Sequence, residues 1–136
     1  MKKTILLGIM GLSALTGFSQ TKEIPEAVKA KITQTYPKAE KVKFEKEKGN
    51  FEAGFKNEGK EMSVVLDAKG NILETETDIN FSGLPKEAKQ YIAEHFKGKK
   101  IKETAEITDA QGKKKFEVEI GGKDYLFDES GKLLKN

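Results

Sequence analysis

Three aspartates each precede a glycine by three residues. Among the patterns in this sequence, this spacing comes closest to that of a metal-binding loop. The aspartates are Asp67, Asp109 and Asp128. A calcium loop needs acidic or amide side chains at alternate positions and a closing glutamate, and Lys69 in the first segment would repel a cation. The same pattern is typical of a hairpin turn, in which the carboxylate accepts from the turn backbone and glycine adopts a positive φ. We therefore predict three turns and no metal site.

Other residues that could do chemistry are isolated. His95 is the single histidine, and the chain has no cysteine. A lone imidazole without cysteine or a second histidine does not make a typical zinc site, so we expect His95 to face solvent or to lie on the flank of a helix. Ser63, Ser82 and Ser130 lie outside any Gly-x-Ser-x-Gly turn, the setting of many serine nucleophiles. The sequence predicts no catalytic residue, no cofactor and no enzymatic activity.

The charge composition argues against nucleic acid as a partner. Every basic residue is lysine, so the bidentate guanidinium fork that suits phosphate and guanine is missing. Short lysine clusters at residues 97–100 and 113–115 could contact anionic lipid, but acidic neighbours weaken their field. Lysines also block edge-to-edge pairing of strands. We expect both clusters to be solvated surface.

The first residues have the pattern of a secretory signal peptide. Two lysines precede an apolar run at residues 5–15, and Gly17 and Ser19 follow it. The run is shorter than the roughly 20 residues that a membrane-spanning helix needs. We predict a signal peptide at residues 1–19, cleaved between Ser19 and Gln20, and a periplasmic or secreted protein without stable membrane insertion. A retained N-terminal anchor is the alternative.

An amphipathic helix follows the leader. Pro25 suits the first helical position, because a proline there loses no needed hydrogen bond. Val28, Ile32 and Tyr36 recur every four residues and form one apolar stripe. Pro37 is expected to end the helix.

Beyond this helix the apolar period falls from about 3.6 residues to 2, which indicates strands. Glycine-containing turn signals separate the apolar runs, as in an antiparallel meander with one buried face. That face is expected to pack on the helix. The predicted inward residues are Val42, Phe44, Phe51, Ala53, Phe55, Met62, Val64 and Leu66.

The second half of the chain repeats the first. Pro85 follows Pro25 by 85 − 25 = 60 residues, and Asp128 follows Asp67 by 128 − 67 = 61 residues. The pattern predicts an α+β fold made of two tandem repeats, each a helix plus a four-stranded antiparallel sheet. The predicted repeats span residues 20–79 and 80–136. Phe116 is expected to point inward and pack on Ile92 or Phe96.

The doubled proline-led helix and the paired Asp-x-x-Gly turns resemble the PepSY-like family of small exported bacterial proteins, which is described as beta-lactamase-inhibitor-like. The resemblance covers residues 24–134. It implies helix-on-sheet modules that act by binding proteins rather than by catalysis. We therefore expect an exported, non-catalytic module that binds an envelope or secreted protein, such as a hydrolase that it restrains. The alternative is a periplasmic carrier with a small-ligand site between helix and sheet or between the repeats.

The outward register of the strands is the predicted partner-binding face. It is expected to be uncovered and charged, with Val65 and Leu126 as its apolar members. The alternative is a face that is simply solvated, as antiparallel sheets often are. The predicted residues are Glu52, Lys56, Ser63, Val65, Lys115, Glu117, Glu119, Asp124 and Leu126.

Overall fold

The computed structural model describes residues 23–135, and the predicted signal peptide and its cleavage site lie outside them. A helix and four strands are followed by a short 3₁₀ turn, a second helix and four more strands. The elements are α1 Glu26–Thr35, β1 Glu40–Glu47, β2 Asn50–Asn57, β3 Lys60–Leu66, β4 Ile72–Asp78, the 3₁₀ turn Phe81–Gly83, α2 Lys86–His95, β5 Ile101–Asp109, β6 Lys114–Ile120, β7 Lys123–Asp128 and β8 Leu133–Lys135. Within residues 23–135, neither helix has the length and apolar character needed to cross a bilayer.

The strands form an eight-stranded antiparallel sheet and follow one another in chain order from β1 to β8. The predicted α+β class is confirmed. The chain divides into two compact units, which we call unit 1, ending at Thr75, and unit 2, beginning at Glu76. This division falls within β4, whereas the predicted repeats meet at residues 79 and 80. The description as two four-stranded repeats stays a prediction.

In unit 1, α1 covers one side of the strands. The helix begins one residue later than predicted, because Pro25 is its N-cap, with φ −61° and ψ 147°. The Pro25 carbonyl accepts from the Val28 and Lys29 N–H groups at 3.1 and 3.2 Å. Tyr36 caps the C-terminus and packs on Phe55 with 4.9 Å between ring centroids. The buried cluster contains Ile24, Val28, Ile32, Phe51, Ala53, Phe55, Val64 and Leu66.

In unit 2, α2 likewise covers one side of the strands. Its N-cap is Pro85. Phe116 lies in one buried cluster with Ile92, and Phe96 packs against that cluster, which confirms that Phe116 faces the helix. The cluster contains Leu84, Ala88, Ile92, Phe116, Val118, Ile120, Tyr125 and Phe127.

The three Asp-x-x-Gly segments are turns of one kind, as predicted. Oδ1 of Asp67 accepts from the N–H groups two and four residues later, both at 2.9 Å. Oδ1 of Asp109 and of Asp128 accepts in the same way, again at 2.9 Å. Because one carboxylate oxygen satisfies two backbone donors, each turn is fixed by its own side chain.

Two of the three turn glycines also touch a helix. A Cβ on Gly70 would lie 2.7 Å from the Ala27 carbonyl oxygen, and one on Gly131 would lie 2.6 Å from the Ala88 backbone nitrogen. Nothing lies within 4 Å of a Cβ placed on Gly112. The turns after Asp67 and Asp128 therefore rest on the start of the helix in their own unit.

We expect Gly131→Ala to destabilise the protein more than Gly112→Ala. Both glycines have similar positive φ values, 94° and 87°, so backbone strain of about 1–2 kcal/mol is common to the two variants. The clash with Ala88 should add roughly 1–3 kcal/mol for Gly131→Ala. Urea unfolding of both variants measures the difference. Equal losses in the free energy of unfolding would show that the turn moves to accommodate the added methyl group without disturbing the helix.

Candidate functional site

The side of the sheet opposite α2 in unit 2 is called outer face 2. Side chains alternate between the faces along a strand, and residues paired across strands point to the same side. Phe116 and Val118 point towards α2, so their neighbours on β6 point away from it. Outer face 2 has three registered rows: Ile107, Lys115 and Asp128; Ala105, Glu117 and Leu126; Glu103, Glu119 and Asp124.

The middle of outer face 2 is buried, and here the prediction of an uncovered charged face is wrong. Glu117 is 5% exposed, and Ala105 and Ile107 are each 2% exposed. Leu126 is half-buried. Glu117 therefore stands directly between two apolar partners in the register, Ala105 and Leu126.

The surroundings of Glu117 favour the neutral form of its carboxyl group. Burial raises the pKa of this carboxyl group to about 8, and the negative charges of Asp124, Glu103 and Glu119 add to the rise. A hydrogen bond with Glu76 acts in the opposite direction. At neutral pH the Glu117 side chain is therefore mostly protonated.

The rim of outer face 2 carries a second perturbed acid. The pKa of Asp124 is raised, first by burial and then by the charge of Glu119, while the Lys102 ammonium opposes the rise. Lys102 Nζ lies 3.7 Å from Glu119 Oε2. This lysine is mostly exposed, so the ion pair is screened by water and contributes little stability.

The corresponding side of unit 1, opposite α1, is called outer face 1. Across β2 and β3, Glu52 pairs with Val65, Gly54 with Ser63, and Lys56 with Glu61. Ser63 is only 4% exposed, whereas Val65 is half-buried. Outer face 1 therefore combines a polar rim with one accessible aliphatic side chain.

The predicted partner-binding residues divide between these two faces. Within each unit they share one side, as the alternation predicted, but Ser63 and Glu117 are buried rather than exposed. That these residues bind a partner stays a prediction. Outer face 1 holds Glu52, Lys56, Ser63 and Val65, and outer face 2 holds Lys115, Glu117, Glu119, Asp124 and Leu126.

Sequence reasoning missed Glu76 and Glu103, which interact with Glu117. The signal for Glu103 was present in β5, where Glu103, Ala105 and Ile107 occupy every second position and therefore share one side of the strand. Assigning that register would have placed a glutamate and two apolar residues on the face of Glu117. Nothing local to β4 links Glu76 to Glu117, because β5 separates the two strands.

The aspartate turns use their carboxylates internally. Hydrogen bonds lower the pKa of all three groups: chiefly from the Asn71 side chain to Asp67, from the Lys113 N–H to Asp109, and from the Lys132 N–H to Asp128. Among residues 23–135, no group of three or more acidic or histidine side chains is arranged to hold a metal ion.

His95 lies at the exposed C-terminal end of α2, on the flank where the sequence placed it. Its ring stacks on Tyr91 with 4.0 Å between centroids. Its Nδ1 lies 3.0 Å from the Tyr91 carbonyl oxygen. These contacts describe a histidine held by its own helix.

A surface groove of about 480 Å³ lies at the turn end of unit 2. The carrier hypothesis placed a ligand between helix and sheet or between the repeats, and this groove has neither location. Its lining residues are Asp109, Lys113, Lys115, Asp128, Glu129, Ser130 and Leu134.

Known structures share this fold. A "BLIP-like" protein from Bacteroides fragilis is 26% identical, with a TM-score of 0.66 over 82% of this chain and 84% of that chain. A "putative periplasmic" protein from Bacteroides eggerthii is 18% identical, with a TM-score of 0.75 over 82% of this chain and 86% of that one. A DUF2874 family protein from Bacteroides uniformis is 19% identical, with a TM-score of 0.73 and the same coverage. No curated protein matches the chain.

The family assignment rests on two matches along the chain. The model described as "Putative beta-lactamase-inhibitor-like, PepSY-like" matches residues 18–74 and again residues 67–135. The two matches cover both helices and all eight strands. With its proline-led helices and its paired aspartate turns, the chain belongs to the beta-lactamase-inhibitor-like, PepSY-like family.

Proposed function

We propose that this protein is an exported, non-catalytic binding module that engages another protein of the cell envelope or the secreted fraction, such as a hydrolase that it restrains. The observation that carries the proposal is the division of each unit into two sides. One side holds the apolar core under a helix. The other side is a regular strand surface, buried at the middle of outer face 2, in which Val65 and Leu126 are partly exposed among charged residues.

Two comparisons support this function. The family is described as beta-lactamase-inhibitor-like, and inhibition of that kind is an act of protein binding. The relative from Bacteroides eggerthii is described as "putative periplasmic", which agrees with the leader pattern at residues 1–19.

The composition of the outer faces sets the expected strength of binding. A central aliphatic side chain surrounded by charges is typical of a polar, wet interface rather than an obligate one. Charged rims mainly steer association and select partners, and salt screens them. We therefore expect modest affinity that weakens as the salt concentration rises.

The first test replaces Val65 and Leu126 together with lysine. Neither residue belongs to a helix-facing cluster, so folding should be largely retained. Capture of the partner from envelope extract should fall by about tenfold or more, which corresponds to about 1.4 kcal/mol. The measurement is quantitative recovery of the captured proteins by mass spectrometry at low and high salt.

The matched control replaces Ala30 of α1 and Ala93 of α2 with lysine. Both alanines are exposed and lie on the helices, so this variant makes the same chemical change away from the outer faces. It should capture partners as the wild type does. Equal recovery by both double variants would refute the proposed binding face.

A further inference from the structure

Two buried carboxyl groups meet on outer face 2. Glu117 of β6 is 5% exposed and Glu76 of β4 is 7% exposed, and their side chains are hydrogen-bonded to each other. β5 lies between these strands in the sheet, and its Ala105 stands directly opposite Glu117. The contact therefore reaches across β5, and the β5 residue opposite Glu117 has only a methyl side chain.

A hydrogen bond between two carboxyl groups requires a proton. Ionised carboxylates only accept hydrogen bonds, whereas a protonated carboxylic acid can donate one. Two ionised carboxylates within hydrogen-bonding reach would also repel each other. The contact between Glu76 and Glu117 is therefore attractive only while one of the two side chains is protonated.

The second oxygen of Glu117 leads to the same conclusion. Oε2 is buried and, within the part of the chain that the structure describes, has no hydrogen-bond partner. The residues directly opposite Glu117 are the apolar Ala105 and Leu126. A buried, ionised oxygen without a donor is strongly disfavoured, and protonation removes most of that penalty.

Among the charged groups on β4 to β7 around this pair, acids outnumber lysines. Glu119 is engaged by Lys102 at 3.7 Å, and the charges of Asp124, Glu103 and Glu119 oppose ionisation of Glu117. The groups are Glu74 and Asp78 on β4, Lys102 and Glu103 on β5, Lys115 and Glu119 on β6, and Asp124 and Asp128 on β7.

We propose that Glu76 and Glu117 form a buried proton-binding site, which holds one proton between its two carboxyl groups at neutral pH. The site follows from the geometry of unit 2 and does not depend on partner binding. One consequence rests on the proposed function: because Leu126 stands opposite Glu117, loss of the proton places a negative charge beneath the partner-binding face.

The site makes stability fall as the pH rises. An ordinary glutamate titrates near 4.5, whereas the pKa of Glu117 is about 8 in the folded protein. Below about pH 4.5 the folded and unfolded states are both protonated, so the contribution is fully present. Between about 4.5 and 8 the unfolded state releases the proton first, and stability declines. Above about pH 8 the decline ends.

The experiment follows the carboxyl carbons of the exported protein by ¹³C NMR from pH 3 to pH 10. The Glu117 resonance should titrate with a midpoint more than about 2 pH units above that of an ordinary glutamate, which is near 4.5. The Glu76 resonance should shift in the same upper step, because coupled groups titrate together. A Glu117 midpoint near 4 would overturn the proposal. So would a Glu76 resonance that does not shift while Glu117 titrates.

Thermal unfolding of Glu117→Gln provides a second readout. Glutamine keeps the shape of the side chain but cannot ionise. The fall in melting temperature between pH 5 and pH 9 should be smaller than in the wild type by at least about 5 °C. The control is Glu94→Gln, at an exposed position of α2, which should retain the wild-type decline. An undiminished decline in Glu117→Gln would contradict the proposal, and the NMR titration of the wild type decides the matter if that variant does not fold.

Discussion

Replacing Phe127 with alanine should lower the free energy of unfolding by about 3–5 kcal/mol. Phe127 is 0% exposed and heads the fully buried side chains by volume. Its ring meets that of Tyr91 edge-on with 5.8 Å between centroids, and Phe116 stands opposite it on β6. Truncation removes these contacts and leaves a cavity that the surrounding rings only partly fill. A folded domain often has only about 5–15 kcal/mol of stability, so the loss should be plain in urea unfolding.

Phe81→Ala is the matched control for this variant. It removes the same atoms from a side chain that is 37% exposed, and we expect a loss of less than about 1 kcal/mol. If the two variants were equally stable, Phe127 would not lie at the centre of the core of unit 2.

Leu66→Ala is expected to have the second large effect, about 2–5 kcal/mol. Leu66 is 0% exposed in the core of unit 1. It directly precedes Asp67, just as Phe127 directly precedes Asp128. In both units, therefore, the side chain before the turn aspartate is fully buried, and its removal should destabilise the unit that contains it.

The control here is Leu134→Ala, because Leu134 is 52% exposed. Its loss should change the free energy of unfolding by no more than about 0.5 kcal/mol. Chemical unfolding, followed by circular dichroism, compares the pair. A small effect of Leu66→Ala would contradict the assignment of the inward register in β3.

The helix-facing sides could be predicted because their signals are local. Phe51, Ala53 and Phe55 alternate with polar residues, and all three are buried. The roles of the turn aspartates were equally predictable, since the backbone N–H groups that donate to them lie two and four residues later in the sequence. Period and turn chemistry act over a few residues, which is the range that a single sequence displays directly.

The outer face of unit 2 was harder to predict because its character depends on pairing across strands. Alternation alone placed Glu117 in solvent, and its burial follows from Ala105 and Leu126, which oppose it on two other strands. Its contact with Glu76 crosses an intervening strand. Such a contact requires strand order and register together.

The segment between the two halves was also more structured than its composition suggested. Residues 78–83 have the polar and glycine-containing composition of a linker, yet β4 continues to Asp78 and a 3₁₀ turn occupies Phe81–Gly83. Ile79 packs against the core of unit 2, and its N–H donates to the Thr104 carbonyl at 2.9 Å. The segment holds two apolar residues, Ile79 and Phe81, which are too few to establish a period, so this contact was not predictable.

The central claim is that the outer sheet faces, and not the helices, contact a partner protein. Site-specific photo-crosslinking in the native cells tests this even while the identity of the partner is open. A crosslinking amino acid would replace Leu126 or Val65 in two variants, and Ala93 or Ala30 in two controls. We predict discrete, larger adducts from positions 126 and 65 and none from positions 93 and 30. Adducts from the helix positions alone, or from all four positions equally, would contradict the account.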